Sequence, residues 1–139
     1  MGLFDALDAS GSALSAERLR MDVTAENLAN AQSTRSADGS GPYKRKQVVL
    51  EQAGSSFADS LQAARGVRVA GIVEDSTPPR RIYDPGHPDA DAQGYVTMPN
   101  VNTVTEMTDL IGASRAYEAN VTAMQTAKSM FARTLDLLK

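Results

Sequence analysis

Residues 103–139 read TVTEMTDLIGASRAYEANVTAMQTAKSMFARTLDLLK, and one period runs through the whole stretch. Met107, Leu110, Ser114, Tyr117, Val121, Met124, Lys128, Phe131, Leu135 and Leu138 alternate steps of three and four, with only Ser114 and Lys128 as polar interruptions. A sustained 3.5-residue repeat is the pattern of a helix that packs lengthwise on another helix. At 1.5 Å per residue it predicts a helix roughly 55 Å long. Pro99 lies just upstream, Asn102 or Thr103 is placed to cap the first turn, and Thr103 with Glu106 has the spacing of a capping box. A second stripe, Ala116, Ala123, Met130 and Leu137, runs beside the first and is flanked by Ala119 and Ala127. Two adjacent seams suit packing among several helices. The same stripe also suits a broad core face in a globular bundle, and pattern alone leaves both open.

Working outward, the other end of the chain repeats the theme. Residues 3–30 contain no proline and one interior glycine, and Leu7, Leu14, Met21 and Leu28 recur every seven residues. Phe4, Gly11, Arg18 and Ala25 fill the alternate seam positions imperfectly. Asn30, Ser33 and then Asp38-Gly39-Ser40-Gly41-Pro42 punctuate the end of this helix, which should be about 40 Å long. The middle is different material. It holds all six prolines and most of the glycines. Lys46–Glu51, Val67–Glu74, Arg80–Tyr83 and Gly94–Met98 read as short strands, and Phe57–Ala64 as a helical turn or loop. The expected organisation is an N-terminal helix over residues 1–32, an extended linker and small β-rich region over 33–102, and a C-terminal helix over 103–139. The fold class is α+β, with long terminal helices packed as a coiled coil or bundle around a small irregular β-rich middle. The middle has too little apolar content to stand as an independent folding unit.

Composition narrows the function. Fourteen basic and 17 acidic side chains give a net charge of −3, and the acidic excess sits in residues 1–30. No basic face is available for a general nucleic-acid binder. With no cysteine, thiolate zinc sites and Cys nucleophiles are excluded. Met1-Gly2-Leu3-Phe4-Asp5 has neither the basic nor the apolar region of a secretory signal. No run reaches the roughly 18 apolar residues that a membrane span needs.

Candidate chemistry is sparse. His87, the only histidine, lies in Asp84-Pro85-Gly86-His87-Pro88-Asp89-Ala90-Asp91, where one imidazole among carboxylates does not define a metal site. Asp89 to Gly94 imitates the opening of a calcium loop, but the twelfth position, which should carry a bidentate Glu, is Asn100. No nucleophile elbow, phosphate loop or dinucleotide fingerprint occurs. Lys44-Arg45-Lys46 beside Tyr43 reads as the start of a solvated edge strand. We therefore expect no catalytic residue, no cofactor and no metal.

The motifs that remain are ordered. Asn27-Leu28-Ala29-Asn30-Ala31 closes the N-terminal heptads, and Gly41-Pro42-Tyr43-Lys44-Arg45-Lys46 follows. Tyr83-Asp84-Pro85-Gly86-His87-Pro88 and Gly94-Tyr95-Val96-Thr97-Met98-Pro99-Asn100-Val101-Asn102 come next. Glu106-Met107, Ala113-Ser114-Arg115-Ala116-Tyr117-Glu118-Ala119-Asn120 and Thr126-Ala127-Lys128-Ser129-Met130 complete the set. In this order and in so short a chain, they resemble the flagellar basal-body rod protein family, most closely its proximal-rod members. The short middle separates the chain from hook proteins, which resemble this family but carry larger outer domains. The rival from another class is a partner-binding adaptor using its helices as a coiled coil.

The resemblance implies a structural subunit that polymerises through its terminal helices into a helical tube in the periplasm and transmits torque from motor to hook. It implies copies of the chain, other rod proteins and the flagellar export apparatus as partners. It implies export without a cleaved signal peptide, and neither nucleic acid nor a direct membrane span. The assembly interface is expected on the helix seams: Leu7, Leu14, Met21 and Leu28 at one end, and Met107, Leu110, Tyr117, Val121, Met124, Phe131, Leu135 and Leu138 at the other.

Overall fold

The computed structural model describes residues 3–36, 39, 41–53 and 66–136. The elements run α1 (Leu3–Ala29), β1 (Lys46–Gln52), β2 (Val67–Glu74), β3 (Arg80–Tyr83), β4 (Tyr95–Met98) and α2 (Thr103–Asp136). This is the expected α+β arrangement of two long helices and a small β-rich middle. Phe57–Ala64, read as a turn or loop, lies outside the described residues, as does Leu138.

The two helices pack against each other lengthwise and antiparallel. Asn27, near the end of α1, meets Glu106 in the first turn of α2. At the other end, a Cβ built on Gly11 would lie 3.9 Å from the Met124 methyl. Gly11, an unfilled position in the N-terminal heptads, thus faces Met124. Ala16, Val23 and Asn27 of α1 and Glu106 and Ala113 of α2 are buried. Small side chains at 16 and 113 let the helix axes draw together. α1 stops at Ala29 because the backbone tightens there: Ala31 N–H donates to the Leu28 carbonyl and Ser33 N–H to that of Asn30.

α2 begins differently from the capping-box reading. Asn102 Oδ1 accepts from the N–H groups of Val104 at 3.0 Å and Thr105 at 3.4 Å, so Asn102 is the cap. The Glu106 carboxylate does not turn back to Thr103. Asn27 and Arg45 hold it, and a charge-assisted bond to a half-buried guanidinium is stronger than one to an exposed backbone N–H.

Each sheet is a two-stranded antiparallel ribbon. β1 pairs with β2 from Lys46↔Glu74 to Gln52↔Val67, and a bulge between Val49 and Leu50 leaves Ala70 unpaired. This ribbon packs on α1. Ser12 Oγ donates to the Ala9 carbonyl and accepts from Val67 N–H at 3.0 Å. Gly66 is needed at that junction, since a Cβ there would fall 1.9 Å from Ser12 Oγ. β3 pairs with β4 from Arg80↔Met98 to Tyr83↔Tyr95. Gly94, expected inside this strand, stands just before it at φ +81°, a conformation that side chains resist. A Cβ there would meet the Tyr83 ring at 2.9 Å. A small cluster of Ala31, Tyr43 and Val101, with Val96 and Pro99 buried nearby, joins the middle to the helix pair.

Candidate assembly surface

The helix pair is locked at one end by a buried polar clamp. Asn27 is 1 % exposed and uses its amide fully. Its Nδ2 donates to the Lys46 carbonyl at 2.8 Å and to Glu106 Oε2 at 2.9 Å. Its Oδ1 accepts from the Tyr43 hydroxyl and from Lys46 N–H, both at 2.9 Å. Glu106 Oε1 accepts from Arg45 Nε at 2.6 Å, and Arg45 also reaches Asp75 at 3.5 Å and Asp109 at 3.7 Å. Arg45 N–H donates to Asn100 Oδ1. One network thus ties the end of α1, the entry to β1 and the start of α2. A half-satisfied network of this kind would cost more than an apolar core, so each member constrains the others. Burial pushes the Tyr43 hydroxyl up to about 12, and the negative charges of Glu26, Glu106 and Glu74 act in the same direction.

The second fixed point is the loop between β3 and β4. Asp89 accepts from Thr34 Oγ1 at 2.7 Å and from Arg35, which pins the loop beneath the end of α1. Asp91 accepts from the N–H groups of Gln93 and Tyr95 and pairs with Arg81 at 2.6 Å. His87 Nδ1 accepts from Asp89 N–H, so the imidazole closes its own turn. Hydrogen bonds from Arg35 and Thr34 hold Asp89 below the usual carboxylate range, and bonds from Tyr95 and Gln93 do so for Asp91. The carboxylates of the apparent calcium loop are therefore already engaged by arginines and backbone. Among the described residues no group of His, Cys, Asp and Glu is gathered for a metal ion.

The seam residues fall into two sets. Leu7, Leu14, Met21 and Leu28 on α1, and Leu110, Tyr117, Val121 and Met124 on α2, are half-buried. Met107, Phe131 and Leu135 are exposed at 52 %, 39 % and 46 %. On α2 the column facing α1 most squarely is Glu106, Ala113, Asn120 and Ala127, one residue before Met107, Ser114, Val121 and Lys128. The contact within the chain thus uses one edge of the apolar stripe and leaves the other edge outside. Val104 and Ile111, exposed at 71 % and 55 %, extend that outer surface. Asn27 and Tyr43 were legible as motif residues without an assigned role, whereas Glu106 was read as a capping-box residue and Arg45 as part of a solvated edge strand; the structure instead turns the Arg45 side chain inward onto Glu106. The heptad pattern did not mark them, because Asn27 and Glu106 each stand one residue before a seam position, Leu28 and Met107, and Tyr43 and Arg45 lie outside both helices.

Residues 7–35 match the family described as flagella basal body rod protein, and residues 92–137 match the C-terminal segment described as flagellar basal body rod FlgEFG protein C-terminal. The chain is 45 % identical to the flagellar basal-body rod protein FlgC of Bacillus subtilis over the full length of both. It is 48 % identical to that of Yersinia enterocolitica and 47 % to that of Salmonella typhimurium, in each case over 99 % of this chain and 98 % of the relative. The chain belongs to the flagellar basal-body rod protein family. The two matched segments of this rod-family chain contain nearly all of α1 and the whole of α2, the elements that the clamp joins. No described helix is long and apolar enough to cross a membrane.

Proposed function

We propose that this chain is a structural subunit of the proximal flagellar rod, polymerising through its terminal helices into a helical tube that transmits torque from motor to hook. The observation that carries the reading is the apolar surface left on the outside of the helix pair. Val104, Met107, Ile111 and Leu135 lie exposed on α2. Side chains of this kind, spread along a helix anchored at its start by the clamp, suit lateral contacts repeated along a polymer.

In this reading residues 1–32 and 103–139 form the axial wall and residues 33–102 fill the space between neighbouring subunits. The predicted seam residues, Leu7 to Leu28 and Met107 to Leu138, divide between the contact inside the chain and contacts to neighbours. The chain works by packing rather than catalysis. It leaves the cytosol through the flagellar export apparatus without a cleaved signal and joins other rod proteins in the periplasm. The test replaces the chromosomal copy with an epitope-tagged one and purifies intact basal bodies. Tagged chain within the rod density by electron cryomicroscopy is the expected result. Normal rods without the tagged chain would overturn the reading.

A further inference from the structure

The outer faces of α1 and α2 are complementary to each other, although within one chain they point in different directions. On α2, Met107, Ile111, Arg115 and Glu118 are all exposed and step by four, four and three, which is one face of the helix. On α1, Arg18, Asp22, Ala25 and Ala29 are likewise exposed and step by four, three and four. Both sets lie away from the buried column of their own helix. Among the described residues, the side chains of Arg18, Asp22, Arg115 and Glu118 make no ion pair or hydrogen bond within the chain.

We propose that a second copy of this chain covers the outer face of α2 with the outer face of its own α1, antiparallel, with Ile111 set against Ala25. This deepens the reading of the chain as a polymerising subunit and rests on it. That one alignment satisfies size and charge together. One step towards the start of α2, Met107 meets Ala29, so two large apolar side chains each face a small one and the helix axes can approach closely. One step the other way, Arg115 meets Asp22. The next step sets Glu118 against Arg18. Each charge finds its opposite, in alternating order, which fixes direction as well as register.

Alternative alignments fail on the same residues. A slip of one heptad sets Ile111 against Arg18 and Met107 against Asp22. A parallel alignment that keeps the apolar pairs carries Arg115 and Glu118 past Ala29, the last residue of α1. Because each face lies opposite the buried column of its own helix, the two point to opposite sides of the helix pair and one partner cannot cover both, so the contact is heterologous. It propagates from copy to copy and does not close as a two-fold dimer.

The chain has no cysteine, so introduced thiols report without interference from its own. In cells carrying Ala25→Cys/Ile111→Cys as the only copy, basal bodies are purified, oxidised and separated without reductant. A ladder of this chain is expected. Neither single variant nor the off-register pair Ala25→Cys/Thr126→Cys should produce it. Monomeric chain in basal bodies that contain it at normal amount would overturn the proposal, as would Ile111→Cys joined to a different protein. Absence of the chain from normally formed basal bodies is a separate result and would overturn the rod reading itself. A second arm uses charge. Asp22→Arg and Arg115→Asp should each reduce swimming, and the two together should restore it. Loss without restoration would count against the pairing.

Discussion

Replacing Asn27 with alanine should unhinge the helix pair at its clamped end. The side chain makes four hydrogen bonds: to the Lys46 carbonyl, the Lys46 N–H, the Tyr43 hydroxyl and the Glu106 carboxylate. Three are bonds between neutral groups, each contributing about 1 kcal/mol, and the fourth, to a charged group, contributes about 1.5 kcal/mol or more. Water reaches this site poorly, since Asn27 and Glu106 are each 1 % exposed, so the orphaned partners are not readily rehydrated. The expected loss is about 4 kcal/mol. A chain of this size has on the order of 5–15 kcal/mol in total. With a urea slope of about 2 kcal/mol per molar, the midpoint should fall by about 2 M. The assay is urea unfolding of the purified chain followed by helical circular dichroism. Asn30→Ala, which loses two bonds within its own turn, is the control and should cost about 1 kcal/mol or less. A fall below about 0.5 M for Asn27→Ala would refute the claim that this amide holds the ends together.

Three further outcomes follow from the same geometry. The Tyr43 hydroxyl is raised from 10.0 to about 12 by folding, so its contribution is complete below pH 10 and is lost as pH climbs through about 12; the difference in alkaline absorbance titration between the native chain and Tyr43→Phe should show that late ionisation. Asp89 and Asp91 are held below 3.8, so their contributions are present above that value and fade as pH falls through the lowered range; Asp89→Asn and Asp91→Asn should each flatten the acid limb of thermal melts. Leu135→Ala should change the stability of the free chain by less than about 0.5 kcal/mol, because the side chain is 46 % exposed, yet the protein should be exported and build no rod beyond it. Normal swimming by that variant would remove Leu135 from the assembly contacts, and Asp136→Ala is the neutral comparison.

The helices and strands were legible because they obey one rule at a time. A 3.5-residue period specifies a long packed helix whatever its partner, and Val67–Glu74 is rich enough in β-branched residues to mark a strand although its alternation breaks around Gly71. The clamp was not legible for a related reason. Heptad reading rewards apolar positions, so it settled on Met107 and passed over Glu106, the residue that α2 buries. A buried carboxylate becomes intelligible only when Asn27 and Arg45 are seen converging on it from 79 and 61 residues away. The capping box failed on the same residue, because local spacing cannot weigh Thr103 against a distant guanidinium. Gly11 looked like a weak heptad position until Met124 was found opposite it. The outer surface of α2 was legible as residues but not as a face, since the period does not say which edge of a broad stripe turns inward.

The antiparallel course of α1 and α2 has a consequence for what the chain tolerates. Both described chain ends lie at one pole of the helix pair, while the departure from α1 and the entry to α2 lie together at the clamp. The middle region is therefore a detour that starts and finishes at almost the same place. Lengthening or shortening such a detour alters the closure entropy only slowly. It does not change the separation between its two anchor points. The helix pair then acts as a strut of constant length, to which side excursions of different size can be fitted without redesigning the strut.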